Sequence, residues 1–285
     1  MGIWIRALFC FLCAYGLVSG SRLEAEEGTT EVSIALPEAK TLILTIEPLG
    51  GSIDDRMLEK FKRDAPLIFN QYIRVFGFNL RSGARLEVRI YFNKDEYMLY
   101  KKRKNLPKAA TGNFEPDGLI NIEYQVSVDS AVTCFRHELS HFFEHEFMGK
   151  MPGYLSEAFA DALGEYQVPE FGVRLKGSKL DDELRNKIVS GEQLDLRLSL
   201  GSSGHNQSYC SENGNIGFTV VTYLLSDDIK ARILGEALLY MKSRRHALDD
   251  FVDGLDKYYP GGIDALQRDW EEWVVGYIDE IRGEG

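Results

Sequence analysis

Residues 137 to 141 read HELSH, two imidazoles and a carboxylate in the order His-Glu-x-x-His. Around an α-helix, positions i and i+4 differ by only about 40°, so His137 and His141 can reach one metal ion from the same face. Neutral imidazole nitrogens are good ligands for Zn2+, and Glu138 beside them is placed to take a proton from a water that the ion acidifies. A second pair of carboxylates follows in EAFAD, where Glu157 and Asp161 again stand at i and i+4. A catalytic zinc takes three protein ligands and keeps its fourth position open, so Glu157 is expected to be the third ligand. Asp161, one turn on, is expected to accept the outer N–H of a ligating imidazole and so fix its tautomer.

A competing pattern overlaps the first. HFFEH at 141 to 145 is the inverted motif, in which His141 and His145 ligate, Glu144 is the base and a distant Glu completes the site. The nearby EAFAD favours HELSH and leaves His145 as a residue of the helix end. Hydrolysis of an amide also needs a donor to steady the developing oxyanion. The Gly- and Ser-rich stretch from Gly201 to Ser208 leads into Tyr209, which is the first candidate, with His205 the second.

HELSH with EAFAD resembles the gluzincin metallopeptidases of the thermolysin-like superfamily, which pair HExxH with a downstream ExxxD. A nearer resemblance is to bacterial families of the peptidase-MA-like group. There a strand precedes the HExxH helix, and a Pro, an aromatic and a Leu precede the ligand Glu, as in PGYLSE at 152 to 157. The resemblance covers about residues 110 to 225 and departs from the commoner pattern at Ala158, where a Gly often follows the ligand Glu. It implies a zinc-dependent peptidase acting on a polypeptide, with His137, His141 and Glu157 on the metal, Glu138 as general base and a Tyr near 209 at the oxyanion. A zinc-holding scaffold without turnover and a zinc hydrolase acting on another amide are the alternatives, and the intact Glu138 argues against the first.

These residues need elements to hold them. TLILTIE at 41 to 47 and RLEVRIYF at 85 to 92 alternate like strands, and GLINIEY at 118 to 124 forms a third after the turn-forming EPDG. Helical spacing runs over 54 to 76, 94 to 102 and 128 to 148, then over 153 to 167, 180 to 190, 209 to 225, 228 to 242 and 262 to 281. The expected class is therefore α+β: a small mixed sheet with helices in an N-terminal lobe (38 to 148), the HELSH helix at the cleft, and a mostly helical C-terminal lobe (149 to 285). If the strand at 119 to 124 is the sheet edge lining the cleft, a peptide can add to it through main-chain hydrogen bonds; an interior position would deny that.

Composition bounds the rest. A chain of 285 residues, 44% hydrophobic and 27% charged, is that of a globular protein with a sizeable core. A net charge of -11 opposes phosphate backbones and anionic lipid, so no nucleic-acid partner is expected. Residues 1 to 20 read as a secretory signal, with Arg6, an apolar run from Ala7 to Val18 and small residues after it, and residues 21 to 37 as a flexible leader. A secreted or periplasmic location follows, with no stable membrane span after signal cleavage. Cys134 and Cys210 remain beyond the signal. A disulfide between them would hold Tyr209 against the metal helix, whereas two buried thiols would leave it untied. Nothing in the sequence sets an oligomeric state.

Overall fold

In the computed structural model, residues 23–24, 28–77, 83–164, 179–192, 194–201, 212–244 and 247–282 are described. Six strands form one mixed sheet: β1 (Leu23–Glu24), β2 (Thr30–Leu36), β3 (Lys40–Leu49), β4 (Ala84–Tyr91), β5 (Gly112–Glu115) and β6 (Leu119–Glu123). Their spatial order is β1-β2-β3-β4-β6-β5. The pairs β3/β4 and β4/β6 are parallel, while β1/β2, β2/β3 and β5/β6 are antiparallel. A 22-residue helix, α1 (Asp55–Phe76), makes the crossover between β3 and β4, and α2 (Lys94–Lys104) follows β4.

The sheet corrects one expectation and decides one question that the sequence left open. Residues 30–36 are not a flexible leader but a full strand. Val32, Ile34 and Leu36 are buried at every second position, and Thr30 to Leu36 pairs with Ile46 to Lys40. The alternation of TEVSIAL buries one face against the core, which is enough to order a segment that follows an acidic, small-residue stretch. The strand at 119–123 is interior, because the four-residue β5 lies outside it as the edge strand among the described residues. A turn at Glu115–Gly118, closed by the Gly118 N–H on the Glu115 carbonyl at 2.9 Å, folds β5 back onto β6. Gly118 has φ 89°, a conformation open to glycine at little cost.

After β6 the chain is helical: α3 (Val128–Met148), α4 (Gly153–Gly164), α5 (Lys179–Val189), α6 (Leu196–Leu200), α7 (Glu212–Leu224), α8 (Asp228–Ser243), α9 (Leu248–Tyr258) and α10 (Gly262–Arg282). The α+β class with a small mixed sheet and helical remainder is thus the observed one. Helix α9 was not expected from its Asp-rich sequence with a central glycine. Leu248, Phe251, Val252 and Leu255 nevertheless form a buried stripe, and a Cβ at Gly254 would stand 2.8 Å from the Ala237 Cα, so the glycine lets α9 close onto α8.

One hydrophobic core runs from Val32 on β2 to Val274 on α10. The HELSH helix α3 lies between α1, α4 and the β5/β6 end of the sheet. Phe135 stacks on Phe61 of α1 with ring centroids 3.9 Å apart, and Phe143 packs on Phe69 at 5.1 Å. The Tyr72 hydroxyl donates to the Ser140 carbonyl at 2.7 Å, so α1 grips α3 inside the motif itself. Among the described residues, no helix is long and apolar enough to cross a membrane.

Candidate metal centre

Helix α3 is stopped at both ends by its own sequence. Ser127 accepts the Ser130 N–H at 3.1 Å as N-cap, and the Gly149 N–H reaches the His145 carbonyl at 2.8 Å at the other end. The break through Pro152 and Gly153 then reverses the chain into α4. His137 meets Asp161 and His141 meets Glu157, so the two helices run antiparallel along the site.

The His137 and His141 rings stand nearly perpendicular, with centroids 4.8 Å apart and their Nε2 atoms 3.2 Å apart. Glu157 brings Oε2 to 3.4 Å from His137 Nε2 and Oε1 to 3.7 Å from His141 Nε2. One ligand atom from each of the three residues therefore falls within 4.8 Å of the others, a cluster that can hold a metal ion. Tetrahedral zinc with bonds of about 2.0 to 2.1 Å spaces its ligand atoms about 3.3 Å apart, so the donor set fits that ion without rearrangement. The donors themselves do not identify the metal, since imidazole and carboxylate also suit other divalent ions.

Asp161 Oδ1 lies 2.9 Å from His137 Nδ1. Burial opposes a charge on His137, but Asp161 and Glu157 outweigh it and hold the metal-free imidazole up at about 10. For Glu157, burial alone would raise the carboxyl, and the His137 and His141 rings outweigh it to keep the carboxyl below its ordinary range. The Glu157 carboxylate thus faces a protonated His137, and binding of a metal ion at His137 Nε2 would require that proton to leave.

Glu138 is buried, and burial pushes its carboxyl up, opposed by His137, His141 and the Phe114 backbone N–H that donates to it. That N–H belongs to β5, so the edge strand touches the motif directly. A Cβ on Gly112 would come within 2.4 Å of Glu138 Oε1 and 2.5 Å of Cys134 Sγ, so any larger residue there would have to push those side chains aside. Above these residues opens a cleft of about 1180 Å³ whose walls include Lys60, Arg63, Thr111, Arg136 and Glu157. Lys60 pairs with Asp129, while Arg63 and Arg136 share the buried Asp64, at 2.7 and 3.5 Å.

Other residues singled out by sequence divide as follows. His145 turns away from the cluster, with Nδ1 3.1 Å from the Gly149 carbonyl at the helix end. Cys134 is a buried thiol 3.9 Å from Thr111 Oγ1, and burial pushes its pKa up. Its suggested disulfide partner Cys210, the oxyanion candidates Tyr209 and His205, and the signal-like residues 1–20 lie outside the described residues. Sequence reasoning missed Gly112, Phe114 and Lys101. The last is buried and donates to the Lys108 and Ala110 carbonyls at 2.9 and 3.0 Å, which fixes the cleft rim before β5. Only a buried lysine's need for acceptors could have signalled it, and burial is not visible in a run of KKRK.

A scan against protein-family models found no match to this chain, and a search of curated proteins found none either.

Proposed function

We propose that this chain is an exported zinc-dependent metallopeptidase of the gluzincin type. The observation that carries the reading is the convergence of His137 Nε2, His141 Nε2 and the Glu157 carboxylate beside the buried Glu138, at the floor of an open cleft. Zinc, when bound there, supplies a Lewis acid that acidifies water and polarises a carbonyl.

The chain's own residues do the rest. Glu138 accepts the proton of the attacking water and returns it to the leaving amine, and its burial raises its proton affinity toward the range such a relay needs. The Phe114 N–H steadies that carboxylate. Asp161 holds the His137 tautomer that leaves Nε2 free to ligate. Among the described residues β5 is the edge strand of the sheet, and the outer main-chain groups that Glu138 does not engage offer a place for an extended peptide to pair, which supports a polypeptide substrate. The edge that serves is β5 rather than the strand at 119–123. Tyr209 stands as the proposed oxyanion donor, and the signal-like segment at 1–20 supports export.

The test is metal analysis of the purified chain followed by cleavage of a peptide library. One equivalent of zinc, cleavage abolished by chelator and cleavage restored by added zinc are expected. Bound zinc with no cleavage of any peptide would overturn the peptidase reading in favour of a scaffold or a hydrolase of another amide.

A further inference from the structure

We infer that Ser156 and Glu144 act together as positioning residues for His141, selecting the tautomer in which Nε2 is free for metal. The inference rests on the metal reading above but concerns residues to which neither motif gives that task. Ser156 Oγ lies 3.0 Å from His141 Nδ1 and 2.6 Å from Glu144 Oε2. Glu144 is buried, and its Oε2 is 3.6 Å from the same ring nitrogen, so the hydroxyl sits between imidazole and carboxylate as a bridge.

The direction of the chain follows from what each group can donate. The Ser156 hydroxyl donates its single proton to Glu144 Oε2. Ser156 Oγ then has only lone pairs to offer His141, and the ring must donate to it from Nδ1–H. With the proton on Nδ1, the lone pair is on Nε2, the atom that faces His137 Nε2 at 3.2 Å and Glu157 at 3.7 Å. The two imidazoles are therefore oriented by different devices. His137 uses a carboxylate directly, through Asp161, whereas His141 uses a carboxylate at one remove, through a hydroxyl. Ser156 is the residue before Glu157, so the turn of α4 that delivers the third ligand also delivers this bridge. Glu144 reaches it from α3, three residues after His141.

The experiment measures zinc affinity of the full chain by chelator competition for the wild type and for Ser156→Ala, Ser156→Thr and Glu144→Gln. It also records the absorption spectrum of each Co2+-loaded form and the melting temperature of each metal-free form. Ser156→Ala is expected to bind zinc roughly 10- to 100-fold more weakly and to shift the Co2+ bands, with little change in metal-free melting. Ser156→Thr keeps the hydroxyl and restores the affinity. Glu144→Gln keeps an acceptor but loses the charge, and falls between the two. Wild-type zinc affinity and an unchanged Co2+ spectrum in Ser156→Ala would overturn this inference while leaving the metal centre standing. A wild type that binds no zinc would overturn both.

Discussion

Glu138 and Glu144 are the same residue type on the same helix, both buried, and each belongs to a motif that would make it the general base. They differ in what stands opposite. Six residues at about 100° each turn the second glutamate roughly 120° away from the first. Glu138 thereby faces β5 and the cleft, where the Phe114 N–H and the His137 and His141 rings surround it. Glu144 faces α4, where its partner is the Ser156 hydroxyl. The comparison teaches that overlapping motifs are sorted by angle: the neighbour a helix face meets decides whether a carboxylate lines the cleft or stands behind an imidazole's outer nitrogen.

The largest effect expected from this contrast is on turnover. Glu138→Gln should lower turnover by at least about 100-fold while zinc stays bound, because the amide cannot take the proton. Glu144→Gln, assayed with zinc in excess, should keep most of it. Steady-state kinetics beside metal analysis checks both, and an active Glu138→Gln protein would reverse the assignment of the two glutamates.

Next in size is the contrast within α4. A neutral amide is a poor replacement for an anionic ligand, so Glu157→Gln should weaken zinc binding more than Asp161→Asn, which is expected to cost about 10- to 100-fold. Chelator competition ranks them. The opposite ranking would mean that Asp161, not Glu157, reaches the metal.

The strand side of α3 gives a smaller effect. Gly112→Ala puts a methyl group into the Glu138 and Cys134 side chains and displaces the Glu138 carboxylate. A fall in kcat/KM of roughly 10- to 100-fold with unchanged zinc affinity is expected, since the base shifts while the ligands do not. Loss of zinc in this variant would show that the strand supports the ligands as well.

The smallest effect is on stability at the strand's far end. Burial alone would raise the Glu115 carboxyl, but hydrogen bonds from Lys104, Tyr100 and Asn121 outweigh it and hold it below the ordinary range. A depressed folded-state pKa contributes stability that is present above the unfolded value of about 4.3 and is lost as pH falls through the folded one. Melting curves across pH 6 to 3 should therefore show a steeper acid loss in the wild type than in Glu115→Gln. Parallel curves would remove the linkage.

Much of this was legible before folding. The i and i+4 spacings of His137 with His141 and of Glu157 with Asp161 place each pair on one helix face, because helical periodicity is a local property. The bounds of α3 follow from Ser127 and Gly149, which cap it by side-chain and backbone bonds to near neighbours. The alternating strands β3, β4 and β6 were likewise readable from their own residues. What tertiary structure alone decided is every relation across the cleft. β5 has only four residues, too few for a periodic signal, and its standing as the edge strand depends on β6 pairing it from Ile122 to Leu119. Gly112 is small because Cys134 and Glu138 lie against it, and Ser156 acquires a task only when α4 returns beside Glu144. Those contacts join residues distant along the chain, so their chemistry comes from packing rather than from spacing.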